Sequence, residues 1–320
     1  MAEIIAIGEL LVDFSPVGTD ADGYPTLAAN PGGAPANFLA AAAKAGGRTA
    51  LLGKVGDDAF GRLLRDTLER AGIDTRGLIV DRETFTTLAF VTLDAQGDRE
   101  FSFARKPGAD TQLRFDELRL DLIDEARVFH FGTLSLTNDP ARDATVRAVA
   151  YARERGKLIS FDPNLRRPLW KDSTEAKHWM LWGLSQADVV KLSDEEAEFL
   201  FALPPEAAAA HVLRQYPVQL VYVTCGARGC CFANTHCAGF VAAPKGLPII
   251  DTTGAGDIFG GTAMQLLLQS GKTPDSLDDA ELHVLVGTAC AAASLSATKH
   301  GGLCSVPEPE RVRQLCRELR

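Results

Sequence analysis

Short apolar and β-branched runs alternate along the chain with longer stretches whose apolar positions recur every three to four residues. Ile4–Ile7, 50–55, Val128–Phe131, Leu158–Phe161, 189–191 and Leu220–Thr224 are apolar nearly throughout, the pattern of strands buried on both faces. The stretches 34–45, 60–71, 139–155, Asp194–Phe201 and 206–215 carry the helical period. The first of these follows Gly32-Gly33 and stops at Gly46-Gly47, a helix end marked by glycine. Strands alternating with helices predict an α/β fold, a mostly parallel sheet with helices on both faces. Two stretches break the rhythm. Residues 10–27 and 84–103 read as strands with no helix between, and the run 86–93, the turn 94–98 and the run 100–103 form a hairpin signal. These predict a small β-rich lid, from about 10–30 and 84–110, on a single domain spanning 1–320. The run 207–210 is alanine and suits a helix, not a linker.

Composition narrows the classes. The 320 residues hold 33 Lys+Arg against 42 Asp+Glu, a formal charge of −9, with 46% hydrophobic and 23% charged residues. Such a chain can bury a large core. The acidic balance argues against a nucleic-acid binder, although a local site can still take an anionic substrate. No run approaches the roughly 18 apolar residues of a membrane span. The opening Met1–Gly8 lacks the basic region of a secretion signal and reads as a buried first strand. The seven cysteines are odd in number and sit mostly in apolar surroundings, which places the chain in a reducing cytoplasm.

The strongest chemical signal is Asp251-Thr252-Thr253-Gly254-Ala255-Gly256-Asp257, a small-residue loop opening a helical run. Free N–H groups and the positive end of a helix make a hole for an anion, and glycines let a phosphate approach closely. Asp257 then stands beside that hole, placed to take a proton from an attacking hydroxyl; as a lone motif it also reads as a helix-capping Asp. A dinucleotide-binding fingerprint is excluded, because the spacing is Gly254-x-Gly256-x-x-x-Gly260 and falls late in the chain. A Walker loop is excluded because Leu266 occupies the place of the first glycine before Gly271-Lys272-Thr273. The second signal is Gly32-Gly33-Ala34-Pro35-Ala36-Asn37, with Asp13 after the first strand. Glycines, a carboxylate and an amide suit several sugar hydroxyls, although Asn37 and Asp13 taken singly also fit structural roles.

These two segments resemble the two signatures of the ribokinase-like (PfkB-type) carbohydrate kinases. Gly53-Lys54-Val55-Gly56-Asp57-Asp58, Asp162-Pro163-Asn164-Leu165-Arg166 and Thr224-x-Gly226-x-x-Gly229 are similar to further family segments in the same order. Within the family the likeness is strongest to fructokinases, through Gly8–Phe14, 88–93, 99–103, 129–136 and Pro168-Leu169-Trp170. The resemblance implies a ribokinase-like fold, with a central mostly parallel sheet flanked by helices and a small β-sheet lid. It implies Asp257 as base and Gly254, Ala255 and Gly256 as the anion hole, with Arg166 reaching toward the transferring phosphate. Asp13, Gly32, Gly33 and Asn37 would bind the sugar, and Phe103 and Arg105 would close over it. Asn164, Lys191, Ser193, Glu196, Thr224, Gly226 and Gly229 would face ATP, with Glu196 organising Mg²⁺ through water. Asp251, Thr253, Ser296, Lys299, Gly301 and Ser305 would hold K⁺, Lys299 by its main chain alone. Ser193 stands where many relatives have Asn, and Ala104 where an aromatic is common.

The expected activity is ATP-dependent phosphorylation of a sugar, D-fructose giving D-fructose 6-phosphate, in a homodimer joined through the lid with no nucleic-acid or membrane partner. A 2-keto-3-deoxygluconate kinase, with Arg105 gripping the carboxylate, and a non-catalytic sugar binder on the same scaffold stand as alternatives. The cluster Cys225, Cys230, Cys231, His236 and Cys237 reads as buried small hydrophobes, because adjacent cysteines on a strand face opposite ways. His130 reads as a satisfied core residue, and 171–172 and 311–320 as solvated helix ends.

Overall fold

A computed structural model of the chain describes residues 1–93 and 99–318; the turn read at 94–98 and the last two residues lie outside the described residues. A ten-stranded sheet forms the centre. Its order runs Ala238–Ala242, Gly229–Asn234, Leu220–Thr224, Val189–Ser193, Leu158–Phe161, Val128–Phe131, Ile4–Ile7, Thr49–Gly56 and Ile73–Asp74, with Leu78–Asp81 also pairing on Thr49–Gly56. All pairs are parallel except the two made by Gly229–Asn234, which are antiparallel.

Alternate residues of each central strand feed separate cores. Ile5 and Ile7 pack with helices Ala141–Glu154, Ser173–Gln186, Asp194–Phe201 and Pro205–Gln215, whereas Ile4 and Ala6 pack with Ala34–Lys44, Ala59–Arg70, Ala255–Ser270 and Asp279–Ser296. Both faces are covered, so the strands carry no polar alternation. Cys231 lies in the first core and Cys230 in the second, on opposite faces of the sheet. His130 stacks on Phe38 with ring centroids 3.7 Å apart, and its Nδ1 is 2.9 Å from Ser160 Oγ. Burial and the Lys191 charge push its pKa down to about 3, so it is neutral.

A second sheet of four strands, Pro25–Gly32, Leu11–Thr19, Leu88–Leu93 and Arg99–Ala104, extends from the end of Ile4–Ile7. Its central pair is parallel and its two outer pairs antiparallel. Residues 84–87, read as strand, instead lead into it. The helix read at 139–155 spans Ala141–Glu154. Ala255–Ser270, the helical run opened by the small-residue loop, is buried nearly all round, because Ala34–Lys44 and Asp279–Ser296 flank it. Gly261 permits that approach: a Cβ there would sit 2.0 Å from the Phe38 carbonyl oxygen. Asp172 caps helix Ser173–Gln186 through the Thr174 and Glu175 amides. Among the described residues no helix is long and apolar enough to cross a membrane.

Candidate active site

The parallel strands end on one side of the sheet, where ligands of open α/β sheets bind. A cleft of about 1120 Å³ opens there, between the two sheets and the head of Ala255–Ser270. Asp13, Gly33, Asn37 and Phe103 line it on the small-sheet side. Thr253, Gly254, Ala255, Gly256 and Asp257 line its floor, and Asn164, Arg166, Lys191, Ser193, Glu196, Thr224, Gly226 and Gly229 its other end.

The helix start is set by backbone chemistry. Gly254 holds φ +77° as N-cap, a conformation that side chains disfavour, and a Cβ there would lie 2.9 Å from Gly302 Cα. The Ala255 N–H donates to the Thr252 carbonyl at 3.2 Å. At Gly256 a Cβ would come within 2.9 Å of Lys191 Nζ, so the missing side chain keeps the ammonium close to the helix start. Helix N-terminus and ammonium together form an anion-attracting floor.

Asp257 sits in the first turn, buried, its Oδ2 accepting a 2.8 Å hydrogen bond from Asn37 Nδ2. Burial raises its pKa, while Asn37, Lys191 and Arg166 oppose the rise. Asn37 Oδ1 is buried with no hydrogen-bond donor among the described residues, an acceptor suited to a hydroxyl. Asp13 faces the same space. Burial raises its pKa to about 6 against the pull of Arg166, with Asp257 and Asp251 adding to the rise. Gly32 lies behind it: a Cβ there would sit 2.3 Å from Asp13 Oδ2.

The other end is built on ionic contacts. Lys191 Nζ pairs with Asp162 at 3.0 Å; Asp162, Glu196 and Asp257 together hold its pKa up against burial. Glu196 takes the Ser193 N–H on Oε2 and the Leu165 N–H on Oε1, each at 2.8 Å, while Ser193 Oγ caps Asp194–Phe201. Each carboxylate oxygen keeps a lone pair, which fits water-mediated contact with Mg²⁺. Asn164 adopts φ +48°, a left-handed turn that amides tolerate.

Arg105 is placed differently from the sugar contact implied by resemblance. Its guanidinium is 2% exposed and contacts Asp110 Oδ2 at 2.7 Å. It also donates to Thr137 Oγ1 at 2.8 Å and the Leu134 carbonyl at 3.0 Å. It joins the end of the small sheet to the loop after Val128–Phe131 and does not line the cleft. The fork is filled because a buried guanidinium needs acceptors for its donors.

Beside the floor, Asp251 links two loops: Oδ1 accepts the Thr253 N–H at 2.9 Å and Oδ2 the Gly301 N–H at 3.1 Å. The Lys299 N–H donates to the Ser296 carbonyl at 3.1 Å, and Ser305 is buried in the next short helix, Gly302–Ser305. Asp251, Thr253, Ser296 and Ser305 bring carboxylate and hydroxyl oxygens to this region, the ligand type a hard cation takes.

Several lining residues were not read from sequence: Glu9, Leu134, the stretch 243–247, Ile249 and Cys290. Asp162 was read only as part of a motif. A charge directly after a buried strand was its signal.

The description "pfkB family carbohydrate kinase" matches residues 1–309. Fructokinase-1 of Zea mays is 41% identical over 316 residues, covering 98% of this chain and 97% of its own. A fructokinase from Xylella fastidiosa, solved with bound ATP, superposes with a TM-score of 0.88 at 30% identity, covering 100% of this chain and 99% of its own. A fructokinase from Vibrio cholerae, solved with fructose, ADP and calcium ion, gives a TM-score of 0.86 at 31% identity, with 99% of each chain covered.

Proposed function

The chain belongs to the pfkB family of carbohydrate kinases and has the ribokinase-like fold, and we propose that it is an ATP-dependent fructokinase, converting D-fructose and ATP to D-fructose 6-phosphate and ADP. One observation carries the reading. A single cleft holds Asp257 at a helix head, the unpartnered Asn37 Oδ1 and the Asp13 carboxylate beside it, and a cationic end beyond. The volume of about 1120 Å³ exceeds the roughly 300–1,000 Å³ of a pocket for one drug-sized ligand, which suits two substrates. The full-length likeness to proteins named fructokinases supports D-fructose as acceptor.

In this mechanism Asp13, Gly33 and Asn37 hold the sugar hydroxyls, and Phe103 closes over the ring. Asp257 removes the proton of the primary hydroxyl as its oxygen attacks the γ-phosphorus. The new O–P bond forms, the bond to the β-phosphate oxygen breaks, and ADP leaves with that electron pair. The raised pKa of Asp257 makes it a stronger base than an exposed carboxylate. The turn 254–256, Lys191 and Arg166 meet the charge on the transferring group. Thr224, Gly226, Gly229 and the apolar wall of Leu247, Ile249 and Cys290 receive the nucleotide. Mg²⁺ would be held by the phosphates with Glu196 reached through water, and would neutralise phosphate charge. K⁺ would sit among Asp251, Thr253, Ser296, Lys299, Gly301 and Ser305 and support the floor. The small sheet acts as a lid excluding water and pairs two copies in a homodimer; Val17 and Leu27, exposed on it, and Tyr24, exposed in the turn joining its first two strands, support this. Residues 1–320 work as one unit in a reducing cytoplasm that suits seven unpaired thiols, with sugar and ATP as partners and neither nucleic acid nor membrane.

A 2-keto-3-deoxygluconate kinase is disfavoured because Asp110 already neutralises Arg105, the residue that would grip the carboxylate. The test is phosphorylation of each sugar at matched low concentration, with the product examined by phosphorus NMR. A larger kcat/KM for fructose and a 6-phosphate product support the reading. Preference for the keto-acid, or no turnover of either, overturns it.

A further inference from the structure

The reaction above leaves one buried carboxylate in the cleft without a role. Glu9, between Ile4–Ile7 and Leu11–Thr19, is 3% exposed, and its Oε1 accepts the Ala34 N–H at 2.9 Å. Helix Ala34–Lys44 has no side-chain cap of its own. Its N-cap is Gly33, which has no side chain, and Pro35 brings no N–H. Glu9 therefore supplies, from the connection between Ile4–Ile7 and Leu11–Thr19, the acceptor that a Ser or Asp N-cap would supply locally. The backbones touch as well. A Cβ on Gly33 would lie 2.5 Å from the Glu9 carbonyl oxygen, and one on Gly8 would lie 2.7 Å from Pro35 Cγ. One turn into this helix stands Asn37, whose amide grips Asp257. Arg105 and Asp110 face Glu9 from the small-sheet side and are paired with each other.

We propose that Glu9 is a positioning residue. By holding the Ala34 N–H it fixes the start of Ala34–Lys44, and through it sets the Asn37 amide against Asp257 and Gly33 against the sugar. This rests on the reading of Asp257 as the base.

The test compares Glu9→Met, which keeps the length without the acceptor, Glu9→Gln, which keeps a carbonyl oxygen, Asn37→Ala, and Glu9→Met with Asn37→Ala. Steady-state kcat and KM for D-fructose and for ATP are measured, with kcat followed against pH. Glu9→Met is expected to lower kcat about 10- to 100-fold, the scale of a small misplacement of reacting groups, and to leave the KM for ATP unchanged. Asn37 holds the Asp257 pKa down, so the acidic limb of the kcat profile should move to higher pH, as in Asn37→Ala. The double variant should be no slower than Asn37→Ala alone, and Glu9→Gln should behave as wild type. Wild-type kcat in Glu9→Met, or multiplicative losses in the double variant, would overturn the inference. If Glu9→Met does not fold, Glu9→Gln decides: wild-type kcat upholds the acceptor role, and a loss as large as in Asn37→Ala refutes it. Asp257→Asn in the same assay separates the two claims. Normal turnover there removes the base on which this inference rests, whereas an inactive Asp257→Asn beside a normal Glu9→Met removes only the role of Glu9.

Discussion

Gly32→Ala isolates one steric contact at the sugar end. Gly32 closes strand Pro25–Gly32 opposite Leu11, and its φ lies outside the left-handed region, so the alanine backbone is unstrained. The added methyl is the whole perturbation. It would sit 2.3 Å from Asp13 Oδ2 and 3.3 Å from Asp13 Cγ. Ordinary carbon–oxygen contact needs about 3.4 Å, so the carboxylate must retreat by about 1 Å. That displacement breaks its alignment with a sugar hydroxyl. A hydrogen bond to a charged group is worth about 1.5–3 kcal/mol. At about 1.36 kcal/mol per decade, kcat/KM for fructose should fall about 10- to 150-fold. The KM for ATP should stay at the wild-type value, because the nucleotide end lies across the cleft. A coupled assay varying each substrate in turn reads both quantities. Unchanged kcat/KM for fructose, or equal losses toward both substrates, would refute the placement of Asp13 against the sugar.

Asp13 also predicts two pH effects. Its carboxyl is held at about 6 when folded against 3.8 as reference, so fructose KM should rise as pH falls through about 6, and this dependence should vanish in Asp13→Asn. A carboxyl with a raised folded pKa contributes stability below the unfolded pKa and loses it as pH rises through the folded one. Asp13→Asn should therefore raise Tm at pH 8 and not at pH 4; thermal melts at the two pH values decide. Arg105→Met leaves the buried Asp110 without its ion-pair partner, so urea unfolding should show a loss of about 3–5 kcal/mol. A loss below about 1 kcal/mol would show that the pair is not the brace described.

The central strands were legible because each is buried on both faces and reads as an apolar run. Gly229–Asn234 was read only as the strand carrying the adjacent cysteines, and Ala238–Ala242 was not read, since glycine, alanine and cysteine fill them and little β-branched signal remains. Asp279–Ser296 escaped for a different reason: it is apolar on most faces, so no clear stripe marks it. Residues carried by glycine-rich turns, from Gly32 to Asn37 and from Gly254 to Asp257, were visible because backbone approach constrains the sequence itself. The cleft walls at Leu134, Ile249 and Cys290 were not, because only tertiary packing brings these apolar side chains to one place. Arg105 was visible as a charge near the hairpin, but its orientation depends on Asp110, Thr137 and Leu134 meeting it from two segments. Glu9 was hidden by its surroundings, as a carboxylate beside an apolar strand shows its partner only once Ala34 is folded against it.

The most direct measurement is turnover of D-fructose and ATP by the wild type and Asp257→Asn, with fructose binding to each followed by calorimetry. The wild type should form D-fructose 6-phosphate and ADP in equal amounts. Asp257→Asn should bind fructose as the wild type does while kcat falls by at least about 10²–10⁴, the range for loss of a general base. A near-normal kcat in Asp257→Asn would contradict Asp257 as base, and a wild type that binds fructose without consuming ATP would contradict the kinase reading itself.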